Sequence, residues 1–143
     1  MKKKSPACRS SCPISFALEL LGDKWTLVVL RDLIFAHKRY FLELIDSPEK
    51  IASNILAARL KQLEATGLVT RKPDPEHGRR VVYAPTAKAL DLLPVLVELI
   101  RWGMAHNPKT AAPPEIVRRI KQDRDGYIAE LRARHAPHSR ERQ

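Results

Sequence analysis

A change of hydrophobic period at Gly67 is the feature that most limits the folds open to this chain. Before it, the stretch 53–66 has the pattern of an amphipathic helix. The apolar side of that helix carries Leu56, Leu60 and Leu63. After it, the segments 68–72 and 79–84 are rich in β-branched and aromatic residues, and the turn-forming segment 73–78 separates them. We therefore predict a helix that ends at Gly67 and is followed by a two-stranded β-hairpin.

Further helices are predicted on both sides of this unit, because apolar residues recur at helical spacing between glycine, proline and polar breaks. Pro13, Asp23 and Thr86 are suited to helix starts. The segments are Ile14 to Leu21, Lys24 to about Phe35, Phe41 to Ile45, a long helix capped by Thr86 that runs to about Met104, and Glu115 to about Arg134. The predicted fold class is therefore α+β and mostly α, with a two-stranded wing.

The charge of the chain favours an anionic partner. Lys and Arg number 26 against 16 for Asp and Glu, which gives a formal net charge of +10 in 143 residues. The apolar stretches are broken by charges well short of a bilayer span, and the basic start lacks the apolar core of a signal peptide. We therefore expect a cytoplasmic protein whose two cysteines are reduced at rest.

A short helix, a turn, an amphipathic helix and a hairpin, in that order, are typical of a helix-turn-helix with a β-wing. In that arrangement the short helix packs across the next one, whose polar side is free to enter a major groove. The polar side of the 53–66 helix carries Asn54, Ala58, Lys61 and Gln62. Asparagine and glutamine can pair with adenine, lysine can reach guanine or a phosphate, and alanine allows close approach to a thymine methyl. Duplex DNA is therefore the predicted partner.

Further candidate DNA contacts flank this reading face. Basic residues recur where a wing would meet the DNA backbone. They are Arg71, Lys72, His77, Arg79 and Arg80. Ser53 can cap the helix and offer a hydroxyl or a backbone N–H group to a phosphate. Arg59 lies nearer the apolar side, so pairing within the fold and contact with DNA stay equally open for it.

Several separated motifs carry a resemblance to a known family. They are Cys12-Pro13, Gly22-Asp23-Lys24-Trp25, Phe41-Leu42-Glu43-Leu44, Ile51 through Leu63, Gly67-Leu68-Val69-Thr70-Arg71, Val82-Tyr83-Ala84-Pro85-Thr86, Leu93-Pro94 and Trp102-Gly103. With these motifs in this order, the chain resembles the HxlR-type winged-helix regulators, relatives of the MarR group. The resemblance implies bacterial, dimeric DNA-binding regulators, often repressors, whose terminal helices form the dimer interface.

The expected organisation follows from the segments and the resemblance. We expect a basic arm at 1–13, a winged-helix DNA-binding domain at 14–106 that includes the start of the dimerisation helices, a C-terminal dimerisation helix at 113–134 and a basic tail at 135–143. The long helix after Thr86 carries apolar side chains around more of its circumference than one face would cover. A second subunit or the last helix of the same chain could cover them. A two-fold dimer would bind an inverted-repeat operator.

Cys12 is a candidate redox-sensing residue. It precedes Pro13 at the start of the first predicted helix, near Arg9, and a helix N-terminus and a cation both make a thiol more reactive. The resemblance implies that an electrophile or oxidant is sensed at this Cys-Pro position and acts as the inducer, with Cys8 as a resolving partner. An inert pair of reduced thiols is an equal alternative.

Other functions find less support in the sequence. No nucleophile–base set, phosphate loop or paired-carboxylate motif points to an enzyme, and no cofactor is predicted. The cysteines and the scattered histidines do not form a metal-ligand set. A winged-helix module that binds nucleic acid or protein without operator specificity is the alternative, because positive charge alone does not exclude it.

Overall fold

Helices make up most of the described structure, which covers residues 9–136 of the computed structural model. The chain divides into two units, one ending at Pro85 and one beginning at Thr86. The first contains α1 (Pro13–Leu21), α2 (Thr26–Ile34), α3 (Phe41–Ile45), α4 (Ser53–Ala65), β1 (Val69–Pro73) and β2 (Val81–Pro85). The second contains α5 (Ala87–Leu90), α6 (Leu93–His106) and α7 (Pro114–His135). A mostly helical fold with a two-stranded sheet confirms the predicted class.

Helix α2 lies at the centre of the first unit's core, in contact with α1, α3 and β2. Its Leu30, Leu33 and Ile34 are almost completely buried. Other large side chains of this unit that are almost fully buried are Leu44, Leu56, Leu63, Leu68 and Val69. The buried carboxylate of Asp32 pairs with Arg31 and Lys38, at 2.9 and 3.3 Å, so its charge is compensated.

The helix ends predicted at Thr86 and Gly67 are confirmed, whereas the helix predicted to begin at Lys24 with Asp23 as its cap begins at Thr26, with Trp25 as its N-cap residue. Asp23 Oδ1 accepts hydrogen bonds from the backbone N–H groups of residues 25 and 26, at 2.8 and 2.9 Å. Thr86 Oγ1 accepts from the N–H of Ala89 at 3.3 Å. Gly67 has φ 78°, the left-handed conformation that ends α4 and turns the chain into β1.

The long helix predicted from Thr86 to Met104 is wrong in its continuity. The chain forms two helices instead, α5 and α6, with Asp91 and Leu92 between them. Pro94 is the reason, because it has no N–H group for the carbonyl of residue 90 and its ring would clash with that carbonyl in a continuous helix. It lies instead in the first turn of α6, where the missing donor costs nothing.

Helix α7 bends at Asp123, which the sequence pattern did not predict. Asp123 has φ −157° and ψ 80°, and its carboxylate accepts a 3.0 Å hydrogen bond from the N–H of Gly126. The halves of α7 contact each other, since Arg119 pairs with Glu130 and lies 5.0 Å from the ring centroid of Tyr127. In a straight helix, residues 119 and 130 would be separated by about 16.5 Å along the axis. The ion pair therefore requires the bend.

Candidate nucleic-acid interface

The predicted reading face lies on the exposed side of α4. The helix is anchored through Leu56, Leu60 and Leu63, which are 0%, 3% and 2% exposed. The four residues proposed to read bases are all exposed. They are Asn54, Ala58, Lys61 and Gln62. The helical period therefore separates a buried leucine side from an open side that carries one cation and two amide groups.

Ser53 and Arg59, the other two candidates on this helix, have different surroundings. The prediction that Ser53 caps the helix is wrong, because Ala52 is the N-cap residue and Ser53 is the first residue of α4. The helix begins one residue earlier than a serine cap would need, and no side-chain cap hydrogen bond forms. Arg59 is half-buried and its guanidinium lies 3.5 Å from the carboxylate of Asp23. Arg59 was expected either to pair within the fold or to contact DNA. In the structure it pairs within the fold, with Asp23.

The hairpin forms the wing, with β1 and β2 antiparallel and Val69 opposite Pro85 at its base. Its tip is closed by backbone hydrogen bonds from Asp74 N to the carbonyl of Arg80, 2.9 Å, and from Arg80 N to the carbonyl of His77, 2.8 Å. All the basic residues predicted to meet a DNA backbone are exposed here. They are Arg71, Lys72, His77, Arg79 and Arg80.

A hydrogen bond that sequence reasoning missed ties the wing to the start of α3. The Tyr40 hydroxyl donates to Asp74 Oδ2 at 2.7 Å, and the guanidinium of Arg80 lies 4.2 Å from the Tyr40 ring centroid. This hydrogen bond lowers the pKa of the Asp74 carboxyl below its ordinary value and raises the pKa of the Tyr40 hydroxyl. The partners are 34 residues apart in sequence, so no local pattern connects them.

Hydrogen bonds also hold the backbone of the segment that precedes α3. Glu43 Oε1 accepts hydrogen bonds from the N–H groups of Arg39 and Tyr40, at 3.2 and 3.1 Å. The carbonyl of Arg39 accepts a 2.8 Å hydrogen bond from the N–H of Tyr83 in β2. The segment before α3 is therefore joined to the wing by both backbone and side chain.

Cys12, the redox-sensing candidate, is exposed at the N-terminal end of α1. Its carbonyl accepts a 3.0 Å hydrogen bond from the N–H of Phe16. Arg9 forms an ion pair with Glu19, so this cation is engaged by a carboxylate. Cys8, the proposed resolving partner, lies outside the described residues.

A strip of exposed apolar side chains runs along α6. Val95, Leu99 and Trp102 are 44%, 46% and 65% exposed, and their spacing puts them on one side of the helix. They line a groove to which α7 contributes Val117 and Ile120. The second unit itself leaves this strip open to solvent.

The described residues contain neither a membrane-spanning helix nor a cluster of metal ligands. From residue 9 to residue 136, every helix is too short or too polar to cross a bilayer. In that part of the chain, His, Cys, Asp and Glu side chains do not gather in groups of three or more that could hold a metal ion.

Comparison with known proteins agrees with this geometry. Residues 20–111 match the HxlR-like helix-turn-helix family. An uncharacterised HTH-type transcriptional regulator of Halalkalibacterium halodurans is 40% identical over 92 residues, which cover 64% of this chain and 81% of the relative.

Two solved structures have the same fold. The crystal structure of PA1607 is 34% identical with a TM-score of 0.65, over 73% of each chain. The redox regulator HypR in its oxidised form is 26% identical with a TM-score of 0.60, over 67% of this chain and 98% of HypR. The family match covers most of the chain and includes both the amphipathic helix and the wing that follows it. The chain therefore belongs to the HxlR-like helix-turn-helix family of transcriptional regulators.

Proposed function

We propose that this protein binds duplex DNA sequence-specifically as a homodimer and regulates transcription, as a repressor. The observation that carries the proposal is the outer side of α4, where Asn54, Lys61 and Gln62 are exposed while the leucines behind them are buried. Amide and ammonium groups on an exposed helix are the groups that read base edges in a major groove. The exposed cations of the wing supply the contacts to phosphates that fix a protein's position on the duplex.

Capture of DNA fragments tests this function directly. Purified protein is mixed with sheared DNA from its source organism, and the retained fragments are sequenced. We expect a common inverted repeat with half-sites about one helical turn apart, or a multiple of that spacing. Competition with single-stranded DNA and with RNA tests the alternative of a winged-helix module without operator specificity. Equal retention of all fragments, or preference for RNA, would reject operator binding.

Two substitutions separate base reading from backbone contact. Lys61→Ala is expected to weaken binding to the captured operator by about 1–3 kcal/mol while leaving binding to unrelated duplexes less affected. Arg80→Ala is expected to weaken binding to every duplex. It should also lower the salt slope of the binding constant by the amount expected for about one lost phosphate contact. Fluorescence anisotropy at several salt concentrations measures both effects.

Arg59→Ala is the matched control on the same helix, because its guanidinium pairs with Asp23. We expect it to change operator affinity less than Lys61→Ala does. If Arg59→Ala and Lys61→Ala had equal effects on operator selection, the assignment of the reading face would be wrong.

The homodimer is supported by two exposed apolar surfaces. One is the α6 strip formed by Val95, Leu99 and Trp102. The other lies on α1, where Ile14 is 71% exposed and Leu18 is 51% exposed. Apolar side chains grouped in this way favour contact with another protein surface. A second copy satisfies both surfaces and gives the two-fold symmetry that an inverted repeat requires.

The proposed inducer is an electrophile or an oxidant that reacts at Cys12. Support comes from the exposed thiol at a helix start and from the similarity to HypR, a redox regulator. With hydrogen peroxide, the Cys12 thiolate would attack oxygen to give a sulfenic acid and hydroxide. The thiol of Cys8, in the same or the other subunit, would then displace water and form a disulfide.

We expect mild peroxide to abolish operator binding by the wild-type protein, or to slow its migration on a non-reducing gel. Cys12→Ser should bind the operator equally well with and without peroxide, and dithiothreitol should restore the oxidised wild type. Cys8→Ser serves as the control for the second step, because it should stop at the sulfenic acid. Identical operator affinity of oxidised wild type and oxidised Cys12→Ser, both unchanged from the reduced proteins, would reject redox control.

A further inference from the structure

A cluster beside the tip of the wing joins Arg80 of the wing to Arg39, an arginine that neither the reading face nor the wing accounts for. Arg39 lies just before α3, and its guanidinium is 5.9 Å from the ring centroid of Tyr40. Arg80 comes from the other side of the hairpin and lies 4.2 Å from the same centroid. Two cations from distant parts of the chain are thus gathered around one aromatic ring.

The charges of this cluster are not balanced within the described part of the chain. The oxygens of Asp74, the nearest carboxylate, accept hydrogen bonds from the Tyr40 hydroxyl and from the N–H of Glu76. Arg39 and Arg80 form no ion pair with any carboxylate of residues 9–136, although both side chains are exposed. Several other arginines are neutralised: Arg31 by Glu49, Arg118 by Glu115 and Arg132 by Asp91. The cluster therefore holds two exposed cations against one buried carboxylate, Asp74, whose charge interacts with Arg39.

A hydrogen bond and burial hold Tyr40 and Asp74 of the cluster in place, which matters for binding an anion. Tyr40 is the residue before α3, and its hydroxyl is fixed by Asp74 at the first position after β1. Asp74 is itself 4% exposed. Helix α3 contacts both α4 and β2, so the cluster is joined to the reading helix through a short chain of packed elements. Guanidinium groups held in place before binding lose less conformational freedom when a phosphate arrives.

Building on the proposed function, we propose that Arg39 and Arg80 form a paired contact to the DNA phosphate backbone. Tyr40 and Asp74 are its positioning residues: they fix the wing relative to α3, so that both guanidinium groups meet the backbone while α4 lies in the major groove. Arg39 is thus a further DNA contact, and the hydrogen bond between Tyr40 and Asp74 sets how much the wing contributes to affinity.

The test measures binding of the full chain to a labelled mixed-sequence duplex of about 30 base pairs, over a series of potassium chloride concentrations. Arg39→Ala should reduce the salt slope of the binding constant by about 0.9, the value for one lost phosphate contact. Tyr40→Phe keeps the ring and removes only the hydroxyl. It should raise Kd about threefold to tenfold, because the arginines must then be ordered on binding.

A double-mutant cycle separates positioning from a general structural role. In a background that carries both Arg39→Ala and Arg80→Ala, Tyr40→Phe should change Kd by less than about twofold, because both groups that it positions are gone. Tyr83→Phe is the matched control, since it removes a tyrosine hydroxyl from the same wing that takes no part in the hydrogen bond between Tyr40 and Asp74. It should bind like the wild type. Thermal unfolding of Tyr40→Phe should stay close to that of the wild type, since only the hydroxyl is removed.

The outcomes distinguish this proposal from the one on which it rests. If the wild type binds duplex DNA, and the effect of Tyr40→Phe simply adds to that of the combined Arg39→Ala and Arg80→Ala substitutions, or Arg39→Ala leaves the salt slope unchanged, the paired contact is wrong and duplex binding stands. If the wild type binds no duplex at all, both proposals fail.

Discussion

Leu99→Asp is expected to raise the dissociation constant of the homodimer about a hundredfold or more. Leu99 is the middle residue of the α6 strip and is 46% exposed in the single chain. A carboxylate placed there would be stripped of water on association, in a contact formed by apolar side chains. A penalty of about 3 kcal/mol corresponds to a change of roughly 100-fold in a dissociation constant. Sedimentation equilibrium over a range of protein concentrations measures it.

Leu42→Asp is the control for this change. It makes the same substitution at a leucine that is 75% exposed. This leucine lies on α3, which belongs to the first unit, whereas the α6 strip belongs to the second. The dissociation constant of Leu42→Asp should equal that of the wild type. If Leu99→Asp dimerised as tightly as Leu42→Asp, the α6 strip would not be the interface. A wild type that stayed monomeric at every concentration would contradict the homodimer itself.

Leu56→Ala is expected to lower the free energy of unfolding by about 2–5 kcal/mol. Leu56 is 0% exposed, and it is one of the leucines that anchor α4. The loss combines the transfer free energy of the removed atoms with the cavity they leave. It is a large share of the roughly 5–15 kcal/mol typical of a small domain. Urea unfolding followed by circular dichroism gives the value.

Ile55→Ala tests whether the loss comes from burial. Ile55 is the preceding residue on the same helix and is 36% exposed. We expect its unfolding free energy to change by less than about 1 kcal/mol, because less of the removed surface was covered and alanine favours the helix. Equal destabilisation by the two substitutions would mean that α4 is not anchored through its leucine side.

The sequence predicted α4 and the wing well because both depend on local signals. Leucine spacing determines which side of α4 is buried, and Gly67 can take the left-handed conformation that the end of this helix requires. The exposed position of Asn54 and Lys61 then follows from helix geometry alone. Thr86 caps its helix for a similar reason, since a cap acts within a few residues.

The features that sequence reasoning missed depend on contacts between distant residues or on competing local preferences. The bend at Asp123 goes with the pairing of Arg119 and Glu130 eleven residues apart in α7, a pairing that helical spacing forbids. The Tyr40 to Asp74 hydrogen bond joins residues that are 34 positions apart in sequence. At Pro94 two local signals compete. The apolar pattern continues through the proline and favours one long helix, whereas the missing N–H group favours a break.

Amide chemical-shift mapping of the isotope-labelled protein, during titration with the captured operator duplex, tests most directly whether α4 and the wing together form the DNA-binding surface. We expect the largest changes on the outer side of α4 and on the wing, and small changes along α7. The residues concerned are Asn54, Ala58, Lys61, Gln62 and Arg80. Changes confined to residues 114–135, with α4 and the hairpin unaffected at saturation, would contradict it.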